Sequence, residues 1–467
     1  MNRFEYNEDE YSNISEIVEK YEDSIRNNIS LFLDSDSFEI LIDFYAIRGE
    51  LQNAMNAVDK ALVQYPFSSS LLIKKAEILF ENKVCNEALE YLDKAESIDH
   101  SEPDIFLIRA EIFTFLSRYQ EAITLLENRI PISFDTDLAD IYLQIANVYE
   151  DWEKYDQVFD SLQKCLQIDC GNEEALTRIN YCMEITEEYE KSRILFESLI
   201  DEQPYSELAW YSLACAFRGL NKIDEAIDAL GYVIAIEEDF SFAYKDLVEL
   251  YLKKEAYKKA LEVIKDYELR FEDDEYMFLT KGLCNENLGE YKLARYYYKK
   301  ALYLDPNYST AYFYIANSYK AEDCWDLAYT YYAKAADLEK QDYDYQFMAA
   351  ETAQVLNNDD KAVEYAERCL SISSSRFDAY LLLAQLFLQI KDYHTALEII
   401  DKGLAKCDSD IELKFARVAV IYVMGQKQEA YIQLMMLMTE APGKEVFMLY
   451  MYPEIEDDPK IISIIND

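Results

Sequence analysis

Small apolar side chains return along this chain at a fixed interval. Alanine recurs with a period of 34 residues at ten positions, which are Ala54, Ala88, Ala122, Ala226, Ala260, Ala294, Ala328, Ala362, Ala396 and Ala430. Between Ala122 and Ala226, Val158 and Ser192 occupy the same column, displaced by an insertion of two residues. A period of this length is typical of stacked helical repeats. The pattern therefore predicts 12 consecutive units over residues 35–444.

Two further columns predict that each unit is a pair of packed helices. The eighth residue of a unit is usually small, as in Ala76, Ala110, Ala146, Ala214, Gly282, Ala316, Ala350 and Ala384. The eleventh is often aromatic, as in Tyr45, Phe113, Tyr149, Phe217, Tyr251, Tyr319 and Phe387. Proline stands near the end of four units, at Pro66, Pro204, Pro306 and Pro442, where it stops a helix. Each unit is thus predicted to run helix, turn, helix, turn.

These columns resemble the tetratricopeptide repeat (TPR) family. The clearest copy runs from Lys281 to Pro306, KGLCNENLGEYKLARYYYKKALYLDP, and the resemblance covers about nine-tenths of the chain. It implies an all-α fold, a right-handed α-solenoid superhelix of helix-turn-helix repeats. It implies much less about function, because the family is defined by its scaffold.

The two ends depart from the repeat. Residues 1–34 are predicted to form an N-terminal capping helix after a mobile acidic start, with Asn13 and Glu16 as a capping box. Residues 445–467 are predicted to form a C-terminal capping helix segment, since arrays of this kind need covered ends.

The repeats are degenerate near residues 129–206. Arg129 replaces the expected alanine, and Pro131 is expected to cut the second helix of unit three short. We expect a hinge or a change in superhelix geometry near residues 129–138.

The charge and composition of the chain limit the kinds of molecule that it is expected to bind. The chain has 91 acidic and 45 basic residues and a net charge of −46, so nucleic acid is a poor partner. The acidity either solvates a large surface or attracts a basic partner. No apolar run is long enough for a membrane span, and the first residues are acidic where a secretory signal is basic and then apolar. We expect a cytoplasmic protein.

The sequence contains no motif that is typical of catalysis, cofactor binding or metal binding. Nine cysteines form no CxxC pair, and the two histidines, His100 and His394, lie about nine units apart. No nucleotide-binding, zinc-protease or nucleophile-elbow motif occurs. We therefore expect no catalytic residue, no cofactor and no metal site.

The concave face is the candidate site, and the TPR resemblance assigns its inward columns to the second, fifth, ninth and twelfth residues of each unit. In units one to four these columns hold an acidic strip, Asp36, Glu39, Asp43, Glu77, Glu111, Asp140 and Glu150. In units five to nine they hold an aromatic and locally basic middle patch, Tyr181, Tyr211, Arg218, Phe242, Lys245, Tyr276, Thr310, Phe313, Asn317 and Lys320. The sixth-position asparagines of another TPR groove are absent, because those positions hold Ile40, Lys74, Ile108, Gln144 and Arg178.

These features predict a non-enzymatic protein-binding scaffold or adaptor that holds an extended peptide or helix of a partner in its groove. The middle patch would suit an acidic partner and the acidic strip a basic one. The alternatives are a regulatory subunit of a larger complex that uses convex or terminal surfaces, and an enzyme with an unrecognised carboxylate site. The sequence names neither the partner nor the oligomeric state.

Overall fold

The computed structural model is helical throughout, and the residues it describes are 8–27, 31–100, 102–133, 135–272, 274–407 and 410–466. Within those ranges there are 27 α-helices and two short 3₁₀ helices, and no strand is present. The first helices are α1 (Glu8–Arg26), α2 (Ser35–Ile47), α3 (Leu51–Gln64), α4 (Ser69–Glu81), α5 (Cys85–Ile98), α6 (Pro103–Phe115), α7 (Tyr119–Glu127), α8 (Asp135–Asp151) and α9 (Tyr155–Ile168). The next are α10 (Glu173–Thr186), α11 (Tyr189–Glu202), α12 (Glu207–Gly219), α13 (Ile223–Ile236), α14 (Ser241–Lys253), α15 (Tyr257–Glu268), α16 (Glu275–Asn287), α17 (Tyr291–Leu304) and α18 (Ser309–Lys320). The last are α19 (Trp325–Leu338), α20 (Tyr343–Val355), α21 (Asp359–Ile372), α22 (Phe377–Gln389), α23 (Tyr393–Lys406), α24 (Ile411–Val423), α25 (Lys427–Glu440), α26 (Val446–Met451) and α27 (Pro459–Asn466).

Helices α2 to α13 and α16 to α25 pair in chain order into 11 helical hairpins, each of which is one repeat unit, and α14 and α15 follow each other around a turn at Glu255. The even-numbered helices from α2 to α24 are the first helices of their units, and the odd-numbered helices from α3 to α25 are the second helices. The all-α repeat fold predicted from the sequence is confirmed. The period-defining alanines have no exposed surface, and neither do Val158 and Ser192 in the same column. A larger side chain would separate the two helices of the hairpin, which explains why this column is so regular.

One residue in the turn after each first helix has a left-handed backbone conformation. The twelve residues have φ between 56° and 87°, and they are Gly49, Lys83, Ser117, Glu153, Glu187, Asn221, Glu255, Gly289, Asp323, Asn357, Lys391 and Gly425. The backbone N–H that follows donates to the carbonyl oxygen of the aromatic column, as in Glu50 to Tyr45 and Arg118 to Phe113, both 2.8 Å. This bond closes the first helix in the manner of a Schellman turn.

The chain divides into two compact units, Met1–Ala243 and Tyr244–Asp467, referred to here as the N-terminal and C-terminal units. Each has its own buried clusters, such as the one around Phe38 and Leu41 and the one around Leu413 and Phe415. The sequence carries no linker at the boundary, which falls inside α14. The partition into 1–34, 35–444 and 445–467 stays a prediction.

The N-terminal helix starts earlier than expected. Helix α1 begins at Glu8, so Asn13 lies inside it and does not cap it, and the residues from Glu8 to Ser12 belong to a helix. The predicted mobile start falls otherwise on residues 1–7, outside the described residues. Ile17 and Tyr21 of α1 are buried against the cluster around Phe38. Their apolar spacing, rather than the cap, positions this helix.

Unit three ends as Pro131 predicts. Helix α7 has nine residues and ends at Glu127, and Pro131 lies in a 3₁₀ helix, Ile130–Ile132. The guanidinium carbon of Arg129 lies 3.2 Å from the centre of the Phe106 ring. A hinge near residues 129–138 stays a prediction.

Candidate functional site

Bases from the next unit interrupt the acidic strip of the N-terminal unit. Lys74 Nζ lies 2.8 Å from Asp43 Oδ1 and 3.6 Å from Glu77 Oε2. Arg178 Nη2 lies 2.5 Å from Glu150 Oε2. The positive charges of Lys74 and Arg178 therefore offset part of the negative charge of the strip, and its role in binding stays a prediction. Each of these two bases is the sixth residue of its unit and reaches back to an inward column of the unit before it.

Other members of the strip bond neutral groups or face solvent. Glu39 Oε1 accepts a hydrogen bond of 2.6 Å from the Ser70 hydroxyl, and Glu111 Oε1 accepts one of 3.4 Å from Gln144 Nε2. Asp36 and Asp140 are exposed. Burial raises the pKa of Glu77, Lys74 opposes that rise, and Asp43 adds to it. In the described ranges no three His, Cys, Asp or Glu side chains gather as metal ligands.

Four residues of the predicted middle patch belong to the N-terminal unit. Tyr181 and Phe242 are 57% and 65% exposed, which leaves their rings open to a partner. The Tyr211 ring lies 5.1 Å from Phe240, whose own ring lies 6.5 Å from Phe242. Arg218 Nη2 lies 3.6 Å from Glu184 Oε1. The rings of Tyr211, Phe240 and Phe242 thus form an aromatic surface in the N-terminal unit. Phe240 is not in an inward column, because it precedes its helix.

The basic members of the patch in the C-terminal unit are paired with carboxylates. Lys245 Nζ donates a hydrogen bond of 2.7 Å to Asp274 Oδ2, and Lys320 Nζ donates one of 2.6 Å to Glu351 Oε2. The hydrogen bond with Asp274 raises the pKa of Lys245, so this lysine remains charged. The interpretation of the patch as locally basic needs this correction, because its positive charges are compensated within the chain.

Three of the predicted residues, together with Tyr345 and Glu351, form a surface that we call the platform. It is defined by Phe313, Asn317, Lys320, Tyr345 and Glu351. The Phe313 ring stacks on Tyr345 with centres 4.8 Å apart. Asn317 Oδ1 accepts a hydrogen bond from the buried Tyr332 hydroxyl, which fixes the amide orientation. All five platform residues are partly exposed. The sequence pointed to the first three but not to Tyr345, which lies at the third position of its unit.

Two other predicted residues of the C-terminal unit, Tyr276 and Thr310, make hydrogen bonds between units. The Tyr276 hydroxyl donates a hydrogen bond of 2.8 Å to Glu249 Oε1, and burial, followed by this bond, raises the pKa of Tyr276. The Thr310 hydroxyl lies 3.2 Å from the Tyr345 hydroxyl, which donates to it. Both residues therefore connect the first helices of consecutive units.

The end of the chain lies on the first helices of the last two units. Helix α26 contacts α24 and α22, with Met448 and Met451 buried. Gln385 Nε2 donates a hydrogen bond of 3.0 Å to the backbone carbonyl oxygen of Tyr450. Gln385 in turn accepts one of 3.0 Å from Gln354 Nε2. Burial, followed by the charge of Glu351, raises the pKa of Tyr450.

Two family models match stretches of this chain. A family model described as tetratricopeptide repeat matches residues 139–169 and 276–308. A model described as anaphase-promoting complex, cyclosome, subunit 3, matches residues 48–129. The chain is a member of the tetratricopeptide repeat family, with many repeats. In the part of the chain that the structure describes, every helix is too short or too polar to cross a lipid bilayer.

Several known proteins resemble the chain. Anaphase-promoting complex subunit 3 of Schizosaccharomyces pombe is 23% identical over 212 residues, covering 44% of this chain and 31% of the relative. The chain therefore spans about a third of that protein. A TPR repeat-containing protein of Methanocaldococcus jannaschii is 24% identical over 459 residues, covering 91% of this chain and 70% of the relative.

Among solved structures, the anaphase-promoting complex hetero-tetramer Cut9–Hcn1 aligns with a TM-score of 0.38 and 14% identity, covering 83% of this chain and 90% of that one. The C-terminal part of a TPR protein from Cytophaga hutchinsonii aligns with a TM-score of 0.39 and 16% identity, covering 59% and 99%.

Proposed function

We propose that this chain is a non-enzymatic scaffold that holds an extended or helical segment of a partner protein on the first-helix face of its C-terminal unit. The observation that carries the proposal is the position of α26. This segment of six residues lies across α22 and α24 and buries Met448 and Met451 there. A face that binds one short segment of its own chain offers the same kind of surface to a partner next to it.

The platform adds what a peptide site needs. Its two stacked rings, Phe313 and Tyr345, present apolar area whose orientation is held by packing. Aromatic side chains of this kind are enriched among the residues that carry most of a binding free energy. The Lys320 and Glu351 pair offers a donor and an acceptor at the edge, and Gln385 illustrates how an amide on this face captures a backbone carbonyl.

Because the positive charges are already paired, we propose recognition by apolar contact and backbone hydrogen bonds rather than by a strongly acidic ligand. A partner carboxylate at Lys320 would compete with Glu351. Conversely, a cationic group of a partner at the acidic strip would compete with Lys74 for Asp43 and Glu77. Both sequence hypotheses of charge-driven groove binding thus lose part of their driving force.

The test uses peptides selected from a displayed random library on the purified full chain, with affinities measured by fluorescence anisotropy. The variant Phe313→Ala with Lys320→Gln should weaken the selected peptides about 30-fold, because loss of an aromatic anchor costs about 2 kcal/mol. The matched control is Leu327→Ala with Lys334→Gln, which removes similar side chains from α19, the second helix of the same unit. Equal loss in both variants, or no loss in the first, would refute a site at the platform.

A second candidate is a subunit of a larger assembly that uses convex or terminal surfaces. The match of residues 48–129 to the model of anaphase-promoting complex subunit 3 favours it. We expect the endogenous protein to elute from a sizing column in a complex much larger than one chain. Removal of residues 48–129 should release it from that complex while the platform variant stays bound. Elution of the endogenous protein as a single chain would exclude this candidate.

A further inference from the structure

Two second helices of the C-terminal unit carry exposed lysines without acidic partners. Lys258 and Lys265 lie on α15, and Lys292 and Lys299 lie on α17. All four are exposed. Among the described residues, none of their ammonium groups has a carboxylate oxygen within the 4.0 Å limit that defines an ion pair.

The lysines of α17 alternate with tyrosines along one stripe of the helix. On α17, the order is Lys292, Tyr296, Lys299 and Tyr303, with spacings of four, three and four residues that place them on one face. Tyr296 is 53% exposed and Tyr303 is 86% exposed. Large aromatic rings held this far into solvent are typical of binding surfaces.

The same columns of α15 repeat the two lysines one repeat unit earlier, but with an acidic residue between them. They hold Lys258, Glu262, Lys265 and, just after the helix, Leu269, which is 74% exposed. Helix α16 joins the two second helices, because its Lys281 donates 2.7 Å to Glu268 of α15 and lies 4.7 Å from the Tyr297 ring of α17. Both stripes thus lie in the C-terminal unit, on second helices that each contact α16, and together they form what we call the lysine–tyrosine patch.

The repeat units on either side of the patch have no lysine or tyrosine in the same four columns. In the preceding unit the four columns hold Asp224, Asp228, Gly231 and Ala235, and in the following unit they hold Asp326, Thr330, Ala333 and Asp337. Lysines that merely kept the surface soluble would have no reason to cluster in two consecutive units. Solvation is already provided by the acidic residues elsewhere.

We propose that the lysine–tyrosine patch is a docking surface for a short acidic segment of a partner protein that also carries apolar side chains. Carboxylates of the segment would pair with the four free lysines, and its apolar side chains would pack on Tyr296, Tyr303 and Leu269. Each lysine is available without breaking an internal ion pair, unlike Lys320 or Lys245. The stripe on α17 spans about 16 Å from Lys292 to Tyr303, which matches about five residues of extended chain.

The negative charge of the rest of the chain favours a short acidic ligand over a long one. The net charge of −46 repels any polyanion that extends past the patch, so a long nucleic acid is disfavoured against a short peptide. This docking surface lies on second helices, apart from the first-helix face of the proposed peptide site, and it stands independently of that proposal.

The experiment measures binding of two fluorescent probes to the full chain, a short peptide of alternating glutamate and phenylalanine and its glutamine counterpart. The glutamate peptide should bind more tightly, and its affinity should fall as salt is raised, because screening weakens exposed charge pairs. Lys292→Gln with Lys299→Gln should weaken it about tenfold, as should Tyr296→Ala with Tyr303→Ala. The control, Lys334→Gln with Lys340→Gln, removes the same charge from exposed lysines elsewhere in the unit and should leave the affinity within about twofold.

Four results would overturn the proposal. They are no measurable binding of the glutamate peptide, equal binding of the glutamine peptide, equal loss in the control variant, and a single-stranded RNA probe that binds more tightly than the peptide and depends on the same lysines. Circular dichroism of each variant establishes that helix content is unchanged, so that a loss of binding is not a loss of fold. A wild-type dimer that the Lys292 and Lys299 changes convert to monomer would instead assign the patch to a second copy of this chain.

Discussion

Gln385 donates a side-chain hydrogen bond of 3.0 Å to the backbone carbonyl oxygen of Tyr450. The bond connects an inward position of α22 to the last turn of α26, 65 residues further along the chain. A terminal segment that would only cover the end of the array would contact its last hairpin. Here it also contacts α22 of the preceding unit, so it takes up part of the surface that a partner segment would use.

Asp458 anchors the rest of this terminal segment. Its Oδ2 accepts hydrogen bonds of 2.8 Å from the hydroxyls of both Tyr422 and Tyr431, and its Oδ1 accepts one of 2.9 Å from the backbone N–H of Lys460. Asp458→Ala should therefore release the segment at a cost of about 1–2 kcal/mol, the range for loss of a helix N-cap. Hydrogen exchange of residues 446–466 should rise, while exchange of α16 and α17 should stay the same. Unchanged protection of the segment would contradict this anchor.

The same contact should depend on pH. Burial alone would raise the pKa of Asp458, but the hydroxyls of Tyr431 and Tyr422 and the backbone N–H groups of Lys460 and Ile461 lower it below the ordinary value. A lowered pKa in the folded state means that the stabilisation is fully present above about pH 4 and is lost as pH falls through the folded pKa. Pepsin should cleave this segment faster in Asp458→Ala than in wild type near pH 4, and the difference should shrink at lower pH. A difference that does not shrink would argue against the carboxylate as its source.

Two glycines, one in a hairpin turn and one inside a helix, form a matched pair for mutation. Gly289 has φ of +80°, whereas Gly231 is an exposed residue inside α13 with no atom within 4 Å of an added Cβ. Gly289→Ala should destabilise the protein by about 1 kcal/mol, because the left-handed region is unfavourable for a residue with a Cβ. Gly231→Ala should stabilise it by about 0.5–1 kcal/mol through helix propensity. Thermal unfolding of the two variants should move in opposite directions, and shifts of the same sign would refute this explanation.

Gly282 lies directly against the ring of Tyr298, between the two helices of unit eight. A Cβ added at Gly282 would lie 2.2 Å from Tyr298 Cε1, and the ring is fully buried. Gly282→Ala should therefore cost about 1–3 kcal/mol, the range for overpacking. In a Tyr298→Leu background that cost should nearly vanish, which a double-mutant cycle on urea unfolding would measure. An equal cost in both backgrounds would show that the ring is not the obstacle.

Unit three should lose protection before its neighbours. Helix α7 has nine residues where α17 has 14, so fewer backbone hydrogen bonds and less apolar burial hold it. Local opening follows regions of low burial. Hydrogen exchange should be faster across residues 119–133 than across residues 291–304. Equal rates would contradict both this expectation and the predicted hinge.

The repeat, its two helices and the buried alanine column follow from local sequence alone. Ala294 and Ala328 must be small because each lies between the two helices of its own hairpin, and such neighbours are only a few residues away in the chain. The early end of α7 is equally local, since Pro131 cannot donate the hydrogen bond that would continue a helix. The left-handed turn residues were not recognised because only three of the twelve are glycine, and Lys83 or Glu255 adopts this conformation through the packing of both flanking helices.

The charge of the candidate surfaces was decided only by tertiary structure. Lys320 is basic in the sequence, but it lies next to Glu351 because consecutive first helices pack at a register that brings residues 31 positions apart together. The same spacing brings Lys74 to Asp43. Lys292 and Lys299 have the same chemistry but lie exposed on a second helix, and no acid of the next unit pairs with them. Sequence determines which side chains each unit carries, and the packing of neighbouring units determines which of those side chains remain available to a partner, because that depends on distances between residues that the chain itself keeps far apart.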